Sequence, residues 1–120
     1  SVAAREKSST LTVKKIKEIT GLSDLSQSGN PIFLVADFNC SYGSSELAPL
    51  RSVMKEARST SSKTESGRTY NGFGETSTSV IDHIFYAGRL TADKYHIVTE
   101  DYGVKYISDH YPITFECAYK

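Results

Sequence analysis

Asp37 and Asn39 close the apolar run Ile32-Phe33-Leu34-Val35-Ala36, and Asp109 and His110 stand just before Tyr111-Pro112. Between them Asp82 sits inside Val80-Ile81-Asp82-His83-Ile84-Phe85. A carboxylate can orient and deprotonate a water, an amide can donate to an oxygen on which charge develops, and an imidazole titrates near neutrality. Residues two apart on a strand point the same way, so Asp37 and Asn39 are expected to project together. The same Asp-Phe-Asn string also suits the start of a turn. Asp82 would be costly to bury alone. An imidazole is the economical partner, because the carboxylate both orients the ring and stabilises its protonated form; His110 is the expected one. Asp109-His110 taken alone equally suits a hydrogen-bonded loop. Pro112 disfavours helix at Tyr111 and so puts His110 at a rigid strand entrance. His83 points to the other strand face and reads as structural, and His96 has no motif around it.

Elements of both kinds are needed to bring these groups together. Residues 3–20 carry Leu11, Val13, Ile16 and Ile19 among many charged side chains, which predicts a helical apolar stripe from about Leu11 to a stop at Gly21. Residues 23–31 are Ser-, Gly- and Asn-rich and read as a loop. The nearly continuous apolar run 32–37 suits a strand buried on both faces. Ser44 or Ser45 is placed to cap a short helix through about Lys55, with Leu47, Leu50, Val53 and Met54 on its apolar face. Residues 59–79 are polar, and their composition favours disorder without a ligand, with Tyr70 and Phe73 as possible anchors. Strands are expected over 80–86, 95–99 and 113–119, with a turn at Gly88. The order is that of a mixed α/β layer.

The 120 residues fit one domain or a piece of one. Lys plus Arg and Asp plus Glu number 14 each, so net charge gives no argument for tight nucleic-acid binding, although a local patch would suffice for an enzyme. No apolar run approaches the ~20 residues of a membrane span. Ser1–Lys7 lacks the apolar core of a signal peptide, and the absence of Met at position 1 suits a processed, trimmed or partial chain. Cys40 and Cys117 read as unpaired thiols, too poorly spaced for a zinc site. The compartment is not readable.

Val35-Ala36-Asp37-Phe38-Asn39, Ile81-Asp82-His83-Ile84-Phe85 and Ser108-Asp109-His110-Tyr111-Pro112-Ile113 resemble three successive motifs of the endonuclease/exonuclease/phosphatase superfamily. Deoxyribonuclease I, abasic-site endonucleases, sphingomyelinases and inositol-polyphosphate 5-phosphatases belong to it. Thr69-Tyr70-Asn71-Gly72-Phe73 resembles a loop ahead of the third-motif strand in many bacterial members. Ala4-Arg5-Glu6-Lys7 resembles the start of the helix that follows the family's Asn-x-His strand. The order holds over essentially the whole chain.

The resemblance implies an α/β (α+β) fold: half of a four-layer α/β/β/α sandwich, with a mixed sheet and two helices on one face. Residues 1–120 would be the C-terminal half of the domain, without its N-terminal half. It implies a metal-dependent phosphoester hydrolase, a phosphodiesterase/nuclease or a phosphatase, using Mg²⁺ or Mn²⁺. Asp37 would orient or activate water, Asn39 would contact the scissile phosphate, and His110, held by Asp82, would stabilise the transition state or move a proton. Asp109 would lie at the metal site or polarise the nucleophile. Asn71, Arg68 and Tyr70 are the candidate substrate-binding residues on the long loop, where Lys63 and Phe73 could also grip phosphate or stack. Substrates would be nucleic acid, a phospholipid head group or a sugar or inositol phosphate. The Asn, the metal-binding Glu and the further His of the family's N-terminal half have no counterpart, since Glu6 and Glu18 lie in the expected helix. The chain is therefore expected to be inactive alone, with an apolar sheet face that takes the missing half or a second copy. The alternative is a non-catalytic binding or interaction module that keeps the fold.

Overall fold

The N-terminal helix α1 runs over Val2–Thr20 because both ends are chemically closed. The Ser1 hydroxyl accepts from the Ala4 N–H at 3.2 Å, and Gly21, at φ 71°, donates its N–H to Lys17 O. The computed structural model describes all 120 residues. The helix covers the expected residues 3–20, but its inward stripe differs from the expected one. Val13 and Ile16 pack on the core beside buried Ser9, whereas Leu11 and Ile19 are exposed. Positions 9, 13 and 16 follow helical spacing, 11 falls on the opposite side, and 19 lies at the flank in the last turn. The polar first turns are held instead by Arg5, whose Nε meets Glu46 Oε2 at 2.5 Å.

β1 (Ile32–Asp37), β2 (Lys55–Glu56) and β3 (Asp82–Ala87) form a three-stranded sheet in the order β1-β3-β2. β4 (Leu90–Ile97) and β5 (Ile113–Tyr119) form a separate two-stranded ribbon. Every ladder is antiparallel, where a mixed sheet was expected. The expected helix over 44–55 is also divided. It becomes a 3₁₀ turn over Ser45–Leu47, a short α2 (Ala48–Arg51) with Pro49 in its first turn, β2, and α3 (Ala57–Thr60). Ser44 makes no side-chain cap. The apolar face is real, since Leu47, Leu50 and Met54 are buried, but pairing of Lys55 and Glu56 with Tyr86 and Phe85 interrupts the helix. The buried Glu56 carboxylate then caps α3 by accepting from the Arg58 and Ser59 N–H groups.

β3 is the central strand and the most buried one. Its Phe85 and Ala87 pack under the helices with Leu25, Leu47, Leu50 and Met54. Ile84, on the other face, packs with Ala57, Tyr95 and Ile97, backed by Tyr111, Ile113 and Phe115 from the ribbon side. β1 is an edge strand rather than the doubly buried strand expected from its composition: Phe33 and Val35 remain 48% and 59% exposed. No helix is long and apolar enough to cross a membrane. Both cysteines are free thiols.

Candidate active site

The register of β1 with β3 sets Asp37 directly opposite Asp82. Directly paired side chains share a face, so two carboxylates stand together at one end of the sheet, an arrangement that is unfavourable without a compensating charge. His110 supplies that charge. Its Nδ1 lies 2.8 Å from Asp82 Oδ2 and its Nε2 lies 3.6 Å from Asp37 Oδ2. The hydrogen bond to Asp82 pushes the His110 pKa above its ordinary 6.5, helped by the charges of Asp82, Asp37 and Asp109 and opposed by partial burial. The imidazolium form is thereby favoured. Asp82 is the least exposed of the three side chains and Asp37 the most open.

The backbone around His110 is fixed by a second short strip of pairing. Tyr111 N–H donates to Thr69 O at 2.7 Å, and Asn71 and Gly72 N–H groups both donate to Asp109 O. Tyr70 bridges His110 on the backbone and sets its ring edge-on to the imidazole, with centroids 5.3 Å apart. Thr69 is fully buried and is the residue that the sequence reading passed over. Its Oγ1 accepts from the N–H groups of Ile81 and Asp82 at 3.0 and 3.3 Å, while its carbonyl holds Tyr111. One small side chain thus links the strand that carries Asp82 to the segment that carries His110. Only its place at the head of Thr69-Tyr70-Asn71-Gly72-Phe73 could have flagged it.

Several expected site residues stand elsewhere than anticipated. Asn71, expected to bind substrate, is fully buried: its amide donates to Ser108 O and accepts from Phe73 N–H, so it fastens two loops. Arg68 spends its guanidinium on the Glu75 and Ser77 carbonyls and lies over the Tyr111 ring at 5.9 Å. Phe73 is 63% exposed and anchors nothing; the 59–79 segment is tied down by Thr69 and Asn71 rather than left loose. Asn39 adopts φ 55°, which ends the strand alternation, and its N–H donates to Asp37 Oδ1 at 2.8 Å. The turn and the site therefore share these residues, with Asn39 exposed beside Asp37. Asp109 is partly exposed, its carboxylate touching only Ser108 Oγ at 3.5 Å. Of the histidines outside the cluster, His83 is buried with Nε2 2.8 Å from Cys40 O, and His96 is held between Glu65 and Glu100.

Asp37, Asp82 and His110 each place one ligand atom within 4.8 Å of the other two, close enough to share a cation. The donors favour a different arrangement. His110 Nδ1 and Asp82 are already committed to each other. Hard cations such as Mg²⁺ take oxygen ligands and commonly use only one or two carboxylates alongside water and phosphate.

An imidazole hydrogen-bonded to one carboxylate and 3.6 Å from a second, at a sheet end, is an arrangement capable of general acid–base chemistry. The chain belongs to the endonuclease/exonuclease/phosphatase family, whose model matches residues 11–110. The family includes phosphoesterases. An endonuclease/exonuclease/phosphatase of Bacteroides vulgatus is similar in structure, with TM-score 0.81 and 26% identity over 98% of this chain and 45% of that one. A mannosyl-6-phosphatase of Bacteroides thetaiotaomicron has TM-score 0.78 and 24% identity over 98% of this chain and 46% of its own. A functionally unknown conserved protein of Enterococcus faecalis superimposes with TM-score 0.80 at 17% identity, over 100% and 46%. The chain thus spans about half the length of these solved relatives. No curated protein matches it.

Proposed function

We propose that this chain is the C-terminal half of a divalent-metal-dependent phosphoester hydrolase and is inactive by itself. The observation that carries the reading is the placement of His110 between Asp82, to which it is hydrogen-bonded, and Asp37, 3.6 Å from its other ring nitrogen. Asp37, the more open carboxylate, orients the attacking water and accepts its proton. His110, kept cationic by Asp82, donates from Nε2 to a phosphoryl oxygen as charge accumulates there, an electrostatic contribution of the oxyanion-hole kind. The exposed Asn39 amide donates to the same phosphate, and Tyr70 packs the imidazole in place. Thr69 and Asn71 act by positioning. Asp109 would hold Mg²⁺ or Mn²⁺, which when bound neutralises phosphate charge and stabilises the leaving oxygen.

The chain spans about half the length of its solved relatives, and this supports the view that further metal ligands come from a complementary half. The half-open face of β1, with Phe33 and Val35, is where that half or a second copy would dock. Phosphodiester and phosphomonoester substrates both suit the site, sugar phosphates among them.

The experiment joins this chain to the complementary half of a relative and assays phosphoester hydrolysis with and without Mg²⁺. Turnover that needs the metal and disappears in His110→Ala is expected. Metal-independent turnover, or equal turnover by the 120-residue chain alone, would overturn the proposal.

A further inference from the structure

Residues 99–107 join β4 to the segment that carries Asp109 and His110, and none of them takes part in a backbone–backbone hydrogen bond. A stretch without such bonds opens easily and would let His110 swing away from Asp82 unless side chains secure it. Tyr106 is the one residue of 99–107 that is not exposed. Its ring lies on Gly74: a Cβ built there would stand 3.3 Å from Tyr106 Cε2, tighter than an ordinary van der Waals contact. Only a glycine lets the ring settle so near. Lys105 Nζ also lies over the ring, 5.5 Å from its centroid.

The surface that receives the ring is a turn over residues 71–75. Gly72, Phe73 and Gly74 take φ of 55°, 57° and 109° in succession. That backbone is costly for Phe73, which is not a glycine, and it persists only where the surroundings over-determine it. Asn71 does this. Its Oδ1 accepts from Phe73 N–H at 2.8 Å, and its carbonyl accepts from Gly74 and Glu75 N–H at 3.0 and 2.8 Å. The same turn grips the residues that follow Tyr106. Asn71 Nδ2 donates to Ser108 O at 3.1 Å, and the Asn71 and Gly72 N–H groups donate to Asp109 O at 2.7 and 3.1 Å. The holds on 106, 108 and 109 end one residue short of His110.

We propose that Tyr106 and Gly74 are positioning residues for His110: the ring seated on the glycine keeps residues 106–109 on the 71–75 turn and so holds the imidazole against Asp82. The inference rests on the reading of His110 as the acid–base residue and adds two residues that act through it. The contact is made by a ring carbon, with the Tyr106 hydroxyl farther off, 3.8 Å from the same Cβ position, so phenylalanine should serve as well.

NMR of the 120-residue chain, in the cold and at one fixed pH, tests this without turnover. The first reporter is the downfield Nδ1–H signal of a carboxylate-bonded imidazole, expected from both His110 and His96. The second is the exchange protection of the Asn71 and Gly72 amides. In Tyr106→Ala and in Gly74→Ala the His110 signal should be lost and the protection should fall about tenfold or more, while the His96 signal persists. Tyr106→Phe should keep every reporter as in wild type, and so should Tyr102→Ala, a change at a 72% exposed neighbour. A His110 signal that survives both disruptive variants overturns this inference alone. Joint loss of the His96 signal does the same, because Tyr106 would then serve the fold at large. A wild-type chain with no His110 signal would instead defeat the reading of the Asp82–His110 pair and take this inference with it.

Discussion

Two histidine–carboxylate pairs occur in this chain, and they have nearly the same primary contact. His110 Nδ1 lies 2.8 Å from Asp82, and His96 Nδ1 lies 2.5 Å from Glu65. In each the hydrogen bond to the carboxylate raises the imidazole pKa above 6.5. The second ring nitrogen separates them. His96 Nε2 is taken by Glu100 at 3.2 Å, and the other Glu65 oxygen accepts from Ile97 N–H, so every polar atom is satisfied locally. His110 Nε2 stands 3.6 Å from Asp37, beyond hydrogen-bonding reach, and its ring lines an open cavity. An acid–imidazole pair is therefore not diagnostic of chemistry. What distinguishes His110 is a second ring nitrogen without a hydrogen-bond partner.

Deleting each ring in turn should separate the two pairs most widely. In a protein joined to its complementary half, His110→Ala should lower kcat by about 10²–10⁴-fold, the usual scale for a general acid–base group, and His96→Ala by less than about twofold. Comparable losses from both would erase the distinction drawn between the pairs. Next in size is the metal: calorimetric Mg²⁺ binding should weaken about tenfold or more in Asp109→Ala and stay unchanged in Glu65→Ala. Binding unaffected by Asp109→Ala would remove that residue from the metal site.

A smaller effect is expected from Thr69→Val, which leaves the N–H groups of Ile81 and Asp82 without their side-chain acceptor. Urea unfolding should register about 1–3 kcal/mol of lost stability, with Thr69→Ser close to wild type. A neutral valine variant would mean that the hydroxyl does not brace the site.

The smallest effect belongs to the Glu65–His96 pair, because both side chains are substantially solvated. The raised His96 pKa gives stability that is full below 6.5 and is lost as pH rises through the folded value. The lowered Glu65 pKa, caused first by its bond to His96, gives stability that is full above 4.5 and is lost as pH falls through the folded value. Glu65→Gln should therefore lower the urea midpoint most between about pH 4.5 and 6.5, and progressively less on either side. A penalty constant from acid to alkaline pH would show that the pair is not ionic.

The two ends of the sheet system were legible in the sequence for different reasons. The runs 32–37 and 113–119 follow Pro31 and Pro112, which mark their starts, and both are strands with those bounds. The pairing of Asp82 with His110 follows from the cost of a carboxylate in an apolar run, a local fact that demands a distant partner. The division of residues 44–55 was not legible, because the ladder that captures Lys55 and Glu56 depends on β3, far along the chain. The anchoring of 59–79 was hidden similarly. Its composition is that of a loose loop, but Thr69 and Asn71 are held by Ile81, Asp82 and Ser108. The facing of Asp37 and Asp82 needs the strand register, which composition does not encode. Pairing alone decides it.

The most direct test follows both exposed-side imidazoles by ¹⁵N NMR through a pH titration of wild type and Asp82→Asn. The His110 pKa should stand above its ordinary 6.5 in wild type and fall in the variant, while His96 titrates identically in both. A His110 titration unmoved by the loss of the Asp82 charge would contradict it.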